Sequence, residues 1–159
     1  MSTLNGNILL PGDALIYRPS NLVGYIIALK TWTWASHIEI YIGDLQSIAA
    51  RPSGVNIYPI RYDKYTTHVL RPKKKLNVKK AMDWFHTEAM NDKYDYIGLF
   101  DFFSYKDGKL SPTSEVCSVL ASLWYNQAGF YPFSKDYPIN KISPAQFLQS
   151  NAFHIIWKK

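Results

Sequence analysis

HIEIYIGD, residues 37–44, alternates polar and apolar side chains without a break until Gly43. Successive side chains of a strand point to opposite faces. The run therefore predicts a half-buried β-strand, with Ile38, Ile40 and Ile42 on one face and His37, Glu39 and Tyr41 on the other. Gly43-Asp44 begins a short loop, and Gln46 to Ala50 reads as the returning strand of a hairpin.

Upstream, the turn Pro11-Gly12-Asp13 leads into a short strand, ALIY (14–17), that stops at Arg18-Pro19. Ser20 is placed to cap a helix over NLVGYIIALK, 21–30. Downstream, a turn at Ser53-Gly54 precedes two more strand-like runs, VNIYPI (55–60) and THVLR (67–71). Asn77 caps a predicted helix over VKKAMDWFHTEAM (78–90), where Val78, Met82, Phe85 and Ala89 form an apolar stripe at helical spacing. The aromatic run YDYIGLFDFF (94–103) fits neither period, and SYKDGKLSPTS (104–114) is a polar loop. A helix carrying Cys117 follows and ends near Gly129, a residue suited to the position just past a helix. Ser143-Pro144 starts a short helix, AQFLQS, and FHIIW (153–157) closes the chain as a strand. This order predicts an α+β fold in one domain, 1–159, with an antiparallel sheet or small barrel packed against helices.

The chain has 159 residues, enough for one sizeable core, and its 47% hydrophobic and 19% charged residues describe a globular protein. Aromatics make up 16%, which suggests a core or cleft walled by large rings. The single cysteine cannot form an internal disulfide, the N-terminus lacks the pattern of a signal peptide, and no run approaches the roughly 18 apolar residues that span a bilayer. A soluble, cytoplasmic protein without a transmembrane segment is expected. The net charge is +6, and Arg71, Lys73, Lys74, Lys75, Lys79 and Lys80 fall close together. A charge run specifies no partner by itself; it reads as a solvated loop and helix face, and no nucleic-acid partner is expected.

Cys117 lies in SPTSEVCSVLASLW (111–124). With Ser114 as the cap, it falls in the first helical turn, where unpaired amides and the helix dipole favour a thiolate. The same residue type is also a common core residue, and Leu120, Ala121 and Trp124 share its face. A nucleophilic thiol needs a base that later returns a proton to the leaving group. His37, on the polar face of its strand, is placed for that role; His68, His86 and His154 are not. No histidine pair has ligand spacing, so neither metal nor cofactor is expected.

Taken in order, GDALIYRP, WASHIEIYIGD, KYDYIGLFDF, the Cys117 helix and ISPAQFL resemble the circularly permuted NlpC/P60 (papain-like) enzymes. That group contains YiiX-like proteins and relatives of lecithin:retinol acyltransferase. The resemblance runs from about residue 10 to 157, and His37 precedes Cys117 in the permuted order. It implies a permuted papain-like fold with the nucleophile at a helix N-terminus. Cys117 would attack a carbonyl carbon, His37 would act as base and then acid, and the Cys117 N–H would meet the oxyanion. In the family a third polar residue, about twelve positions after the histidine, orients its ring; here that count lands on Ala49. Glu39 on the face of His37, Ser47 or a backbone carbonyl are the alternatives. The implied function is a cysteine hydrolase or acyltransferase acting on an amide, thioester or ester. Its substrate would be a cell-wall peptide or a lipid-acyl group, in a bacterial or bacteriophage setting. The alternative is a binding module on the same fold that has lost turnover.

Overall fold

A computed structural model describes residues 8–19, 34–51, 54–60, 65–90, 114–139 and 142–159. The elements are β1 (Ala14–Tyr17), β2 (His37–Gly43), β3 (Gln46–Arg51), β4 (Gly54–Pro59), β5 (Thr66–Pro72), α1 (Val78–Trp84), α2 (Ser114–Gln127), α3 (Pro144–Gln149) and β6 (Phe153–Lys158). The expected helix over 21–30, the aromatic run 94–103 and the loop 104–113 lie outside the described residues.

The strands form one sheet in the order β4-β3-β2-β1-β5-β6. Every pairing is antiparallel, so the protein is α+β. The alternation read in HIEIYIGD fixes which face of this sheet meets the helices. Ile38 and Ile40, with Ala14, Ile16, Ile48 and Leu70, join the main core with Phe85, Leu120, Trp124, Tyr125 and Phe147 from the helical side. Leu15, Tyr17, Tyr41 and Val69, one residue out of step, form a smaller cluster on the opposite face with Leu9. A one-residue slip of β2 would exchange the two sets, so burial on both faces holds its register.

Local chemistry sets the ends of the elements. β2 turns into β3 through Asp44 and Leu45, both left-handed (φ 48° and 58°), the conformation of a two-residue hairpin turn that follows the sheet twist. Gly12 has φ +98°, and a Cβ there would run into the Leu76 side chain, so the turn before β1 requires glycine. α2 ends in a Schellman motif. Phe130 N–H donates to Tyr125 O (2.9 Å), Gly129 N–H donates to Asn126 O (3.0 Å), and Gly129 sits at φ +78°. The Tyr125 and Phe130 rings close the motif edge to face, their centroids 5.4 Å apart.

α1 departs from the expected continuous helix. After Trp84 the chain widens into a π-helical turn, Phe85–Ala89, and Met90 N–H reaches back to Phe85 O (2.8 Å). Thr87 Oγ1 donates to the carbonyls of Asp83 (3.0 Å) and Trp84 (3.3 Å), and so competes with backbone amides for them. Phe85 and Ala89 stay buried across the change. Asn77 caps α1 as expected, its side chain accepting from Lys80 N–H (3.1 Å), and Ser143 begins α3 with a reciprocal capping box. α2 packs across β2 and β3. Among the described residues, no helix is long and apolar enough to cross a membrane.

Candidate functional site

Two elements meet at the site. β2 begins with His37, and α2, which packs on β2, carries Cys117 as its fourth residue. Cys117 is 1% exposed and packs among the Leu120, Ala121 and Trp124 side of its helix. Burial of that kind suits a core cysteine too. What sets Cys117 apart is that it lies close enough to His37 to help raise the basicity of that ring.

The imidazole also faces Glu39, with His37 Nε2 and Glu39 Oε1 3.1 Å apart. Neighbours two apart on a strand share a face, but their side chains ordinarily stand parallel. Here the Glu39 carboxylate is drawn to the ring by the groups around it. Ser47 Oγ donates to Oε2 (2.7 Å), Tyr17 OH donates to Oε2 (3.3 Å), and Arg51 Nε donates to Oε1 (2.9 Å). Arg51 Nη2 lies 2.8 Å from the same oxygen. Four side chains from three strands thus converge on a carboxylate with no solvent-exposed side-chain surface. A buried charge is tolerable on these terms, paired and with its lone pairs occupied.

Burial alone would push the Glu39 carboxyl up. The hydrogen bond and charge of His37, then the Ser47 hydroxyl and the Arg51 cation, more than offset this and bring it down to about 2. Burial would likewise pull His37 down. The charge interaction and hydrogen bond with Cys117, followed by those with Glu39, instead raise it to about 9. At neutral pH the ring is therefore protonated and carries a proton it can deliver.

Of the sequence-predicted residues, Cys117, His37 and Glu39 come together, and Ser47 joins them through Glu39 rather than by touching His37. Ala49 is fully buried. Continuing the β2–β3 register (Tyr41 to Ser47, Ile40 to Ile48) sets it opposite Glu39, between Ser47 and Arg51 on one face of β3. Arg51 and Tyr17 were not singled out from sequence. Their only signal is a shared strand face with His37, visible once the pairing Tyr17 to His37 and the β2–β3 register are known.

Residues 111–113 lie outside the described residues and α2 is described from Ser114 on, so the expected cap at Ser114 falls at the edge of the described residues, and Cys117 is the fourth described residue of the helix. A separate open cleft of about 590 Å³ is lined by Ser122, Asn126, Tyr131, Phe133, Lys135 and Ile142; Cys117, His37 and Glu39 do not line it. Among the described residues no cluster of His, Cys, Asp and Glu has the makings of a metal site. No family model and no curated protein matches the chain.

Proposed function

We propose that the protein is a cysteine hydrolase or acyltransferase of the permuted papain-like (NlpC/P60-like) kind, working through Cys117, His37 and Glu39. The observation that carries this reading is the placement of His37, bonded to Glu39 at Nε2 and near enough to Cys117 for each to raise its basicity. Arranged so, the three groups supply a nucleophile, a base and an orienter in the order that acyl transfer uses them.

In the first half of the reaction, Cys117 Sγ bonds to the carbonyl carbon of an amide, thioester or ester, and the carbonyl π electrons move to oxygen. The Cys117 N–H, the donor that the family resemblance implies, would meet that oxyanion. Collapse of the tetrahedral species breaks the bond to the leaving group, which takes the proton from His37. In the second half, water or another acceptor attacks the thioester carbonyl and gives its proton to His37. The C–S bond then breaks and its electron pair returns to sulfur. Glu39 holds the ring in one orientation throughout and stabilises the imidazolium each time it forms.

The case for a binding module without turnover rested on Ala49. With Glu39 on Nε2, the missing side chain at 49 no longer argues for lost activity. Peptide and lipid acyl donors both fit this chemistry, and the lone cysteine suits a reducing compartment such as the cytoplasm. The test is covalent trapping with activated acyl esters, one carrying a peptide-like and one a fatty acyl group. Intact-mass analysis should find one acyl group on Cys117, absent in Cys117→Ser and slowed about a hundredfold or more in His37→Ala. Acylation elsewhere, or at Cys117 but indifferent to His37, would refute the proposal.

A further inference from the structure

Among the described residues, Arg51 is the one fixed cation on the Glu39 carboxylate. Its Nε donates to Oε1 at 2.9 Å, and Nη2 lies 2.8 Å from the same atom. The guanidinium is itself braced by β4. Nη2 donates to Pro59 O (3.2 Å), and the group stacks over the Tyr58 ring, 4.3 Å from its centroid. Its side chain is only 12% exposed. The other groups facing Glu39 are Tyr17 from β1, Ser47 from β3 and His37 from β2; those facing His37 are Glu39, Cys117 from α2 and the Tyr17 ring. Of these, only His37 and Arg51 bring positive charge to Glu39, and His37 must lose its charge once in every cycle.

We propose that Arg51 is a positioning residue that keeps Glu39 ionised while His37 is neutral, and thereby lets His37 release its proton. This rests on the function proposed above. A buried carboxylate left without a cation is costly, so in the absence of Arg51 the His37–Glu39 pair would hold on to its proton. The consequence falls on one half of the reaction. Acylation begins from the imidazolium–thiolate pair, which loss of Arg51 does not disfavour. In the acyl-enzyme the sulfur is no longer charged, and His37 must be neutral to accept the proton of the attacking water. Arg51 therefore governs deacylation.

The experiment follows the His37 ring by NMR through a pH titration of the full chain, in a Cys117→Ser background that removes the thiolate as acylation does. Arg51→Met should raise the midpoint by about one unit, the size of effect expected when one charge of a close group changes. Arg51→Lys, which keeps the charge without the fork, should restore most of the difference. With Cys117 intact and p-nitrophenyl acetate as probe, Arg51→Met should acylate within about twofold of wild type. At neutral pH it should deacylate about tenfold slower, recovering as pH rises, since one unit is a factor of ten. A merely structural role would slow both steps together and leave the midpoint unmoved. An unshifted His37 midpoint in Arg51→Met, or, should that variant not fold, an Arg51→Lys protein whose midpoint departs from wild type by a full unit, would overturn the proposal. Failure of the wild type to acylate at Cys117 refutes the enzyme reading, whereas an unshifted His37 midpoint refutes the role of Arg51.

Discussion

Replacing Glu39 by Gln keeps the shape of the side chain and removes its charge, so the acid limb of the stability curve should change in a calculable way. In the folded protein the Glu39 carboxyl is brought down to about 2 from an ordinary value of 4.5. A depressed carboxyl contributes stability that is complete above the unfolded value and is lost as pH falls through the folded one. At 1.36 kcal/mol per unit, the full contribution is about 3 kcal/mol, of which about 2 kcal/mol is gone by pH 3. Every other carboxylate titrates alike in wild type and variant, so the difference between the two isolates Glu39. The assay is urea unfolding of both proteins at several values between pH 6 and pH 3. Wild type should begin clearly more stable, because the variant leaves Arg51 facing an uncharged amide, and the gap should narrow by about 2 kcal/mol across that range. A gap that stays constant from pH 6 to pH 3 would show that Glu39 is not the buried anion described here.

On the alkaline side the sign reverses. His37 is raised to about 9 from 6.5, so its contribution is complete below 6.5 and fades as pH climbs through about 9. The stability difference between wild type and His37→Gln, measured by urea unfolding, should shrink by up to about 3 kcal/mol over that window; this reflects partly the same His37–Glu39 interaction and is not additive with the acid limb. At the far end of β1, Asp13 is 1% exposed, accepts from Arg71 Nε (2.9 Å) and Nη2 (2.7 Å), and takes the Leu10 N–H (2.8 Å). Asp13→Asn should cost about 2–3 kcal/mol in chemical denaturation and leave the titration of His37 unchanged, since this clamp shares no partner with the site.

How far the sequence foretold the site depended on the range of the interaction. His37 and Glu39 were legible because strand alternation is a two-residue rule, and HIEIYIGD obeys it strictly. Cys117 was legible as a residue near the start of a helix, and the structure describes that helix from Ser114 on. The family position for an orienter falls across the hairpin at Ala49, which has no polar group, and the same-strand alternative, Glu39, is the carboxylate bonded to His37. That outcome depends on Ser47 and Arg51, which flank Ala49 and pull the Glu39 carboxylate toward the ring. Such a network appears only when the register of β2 against β3 is known, and register is a tertiary property. The π-helical turn at Phe85–Ala89 was hidden for a different reason: its apolar stripe reads as an ordinary helix, and the Thr87 hydroxyl bonds that accompany it leave no periodic trace.

The most direct test is an NMR pH titration of the His37 ring in wild type and in Cys117→Ser. Pairing of the two residues predicts a wild-type midpoint raised to about 9 that falls clearly when the sulfur is removed. A wild-type midpoint near the ordinary imidazole value of about 6.5, or one that Cys117→Ser leaves in place, would contradict the pairing of Cys117 with His37.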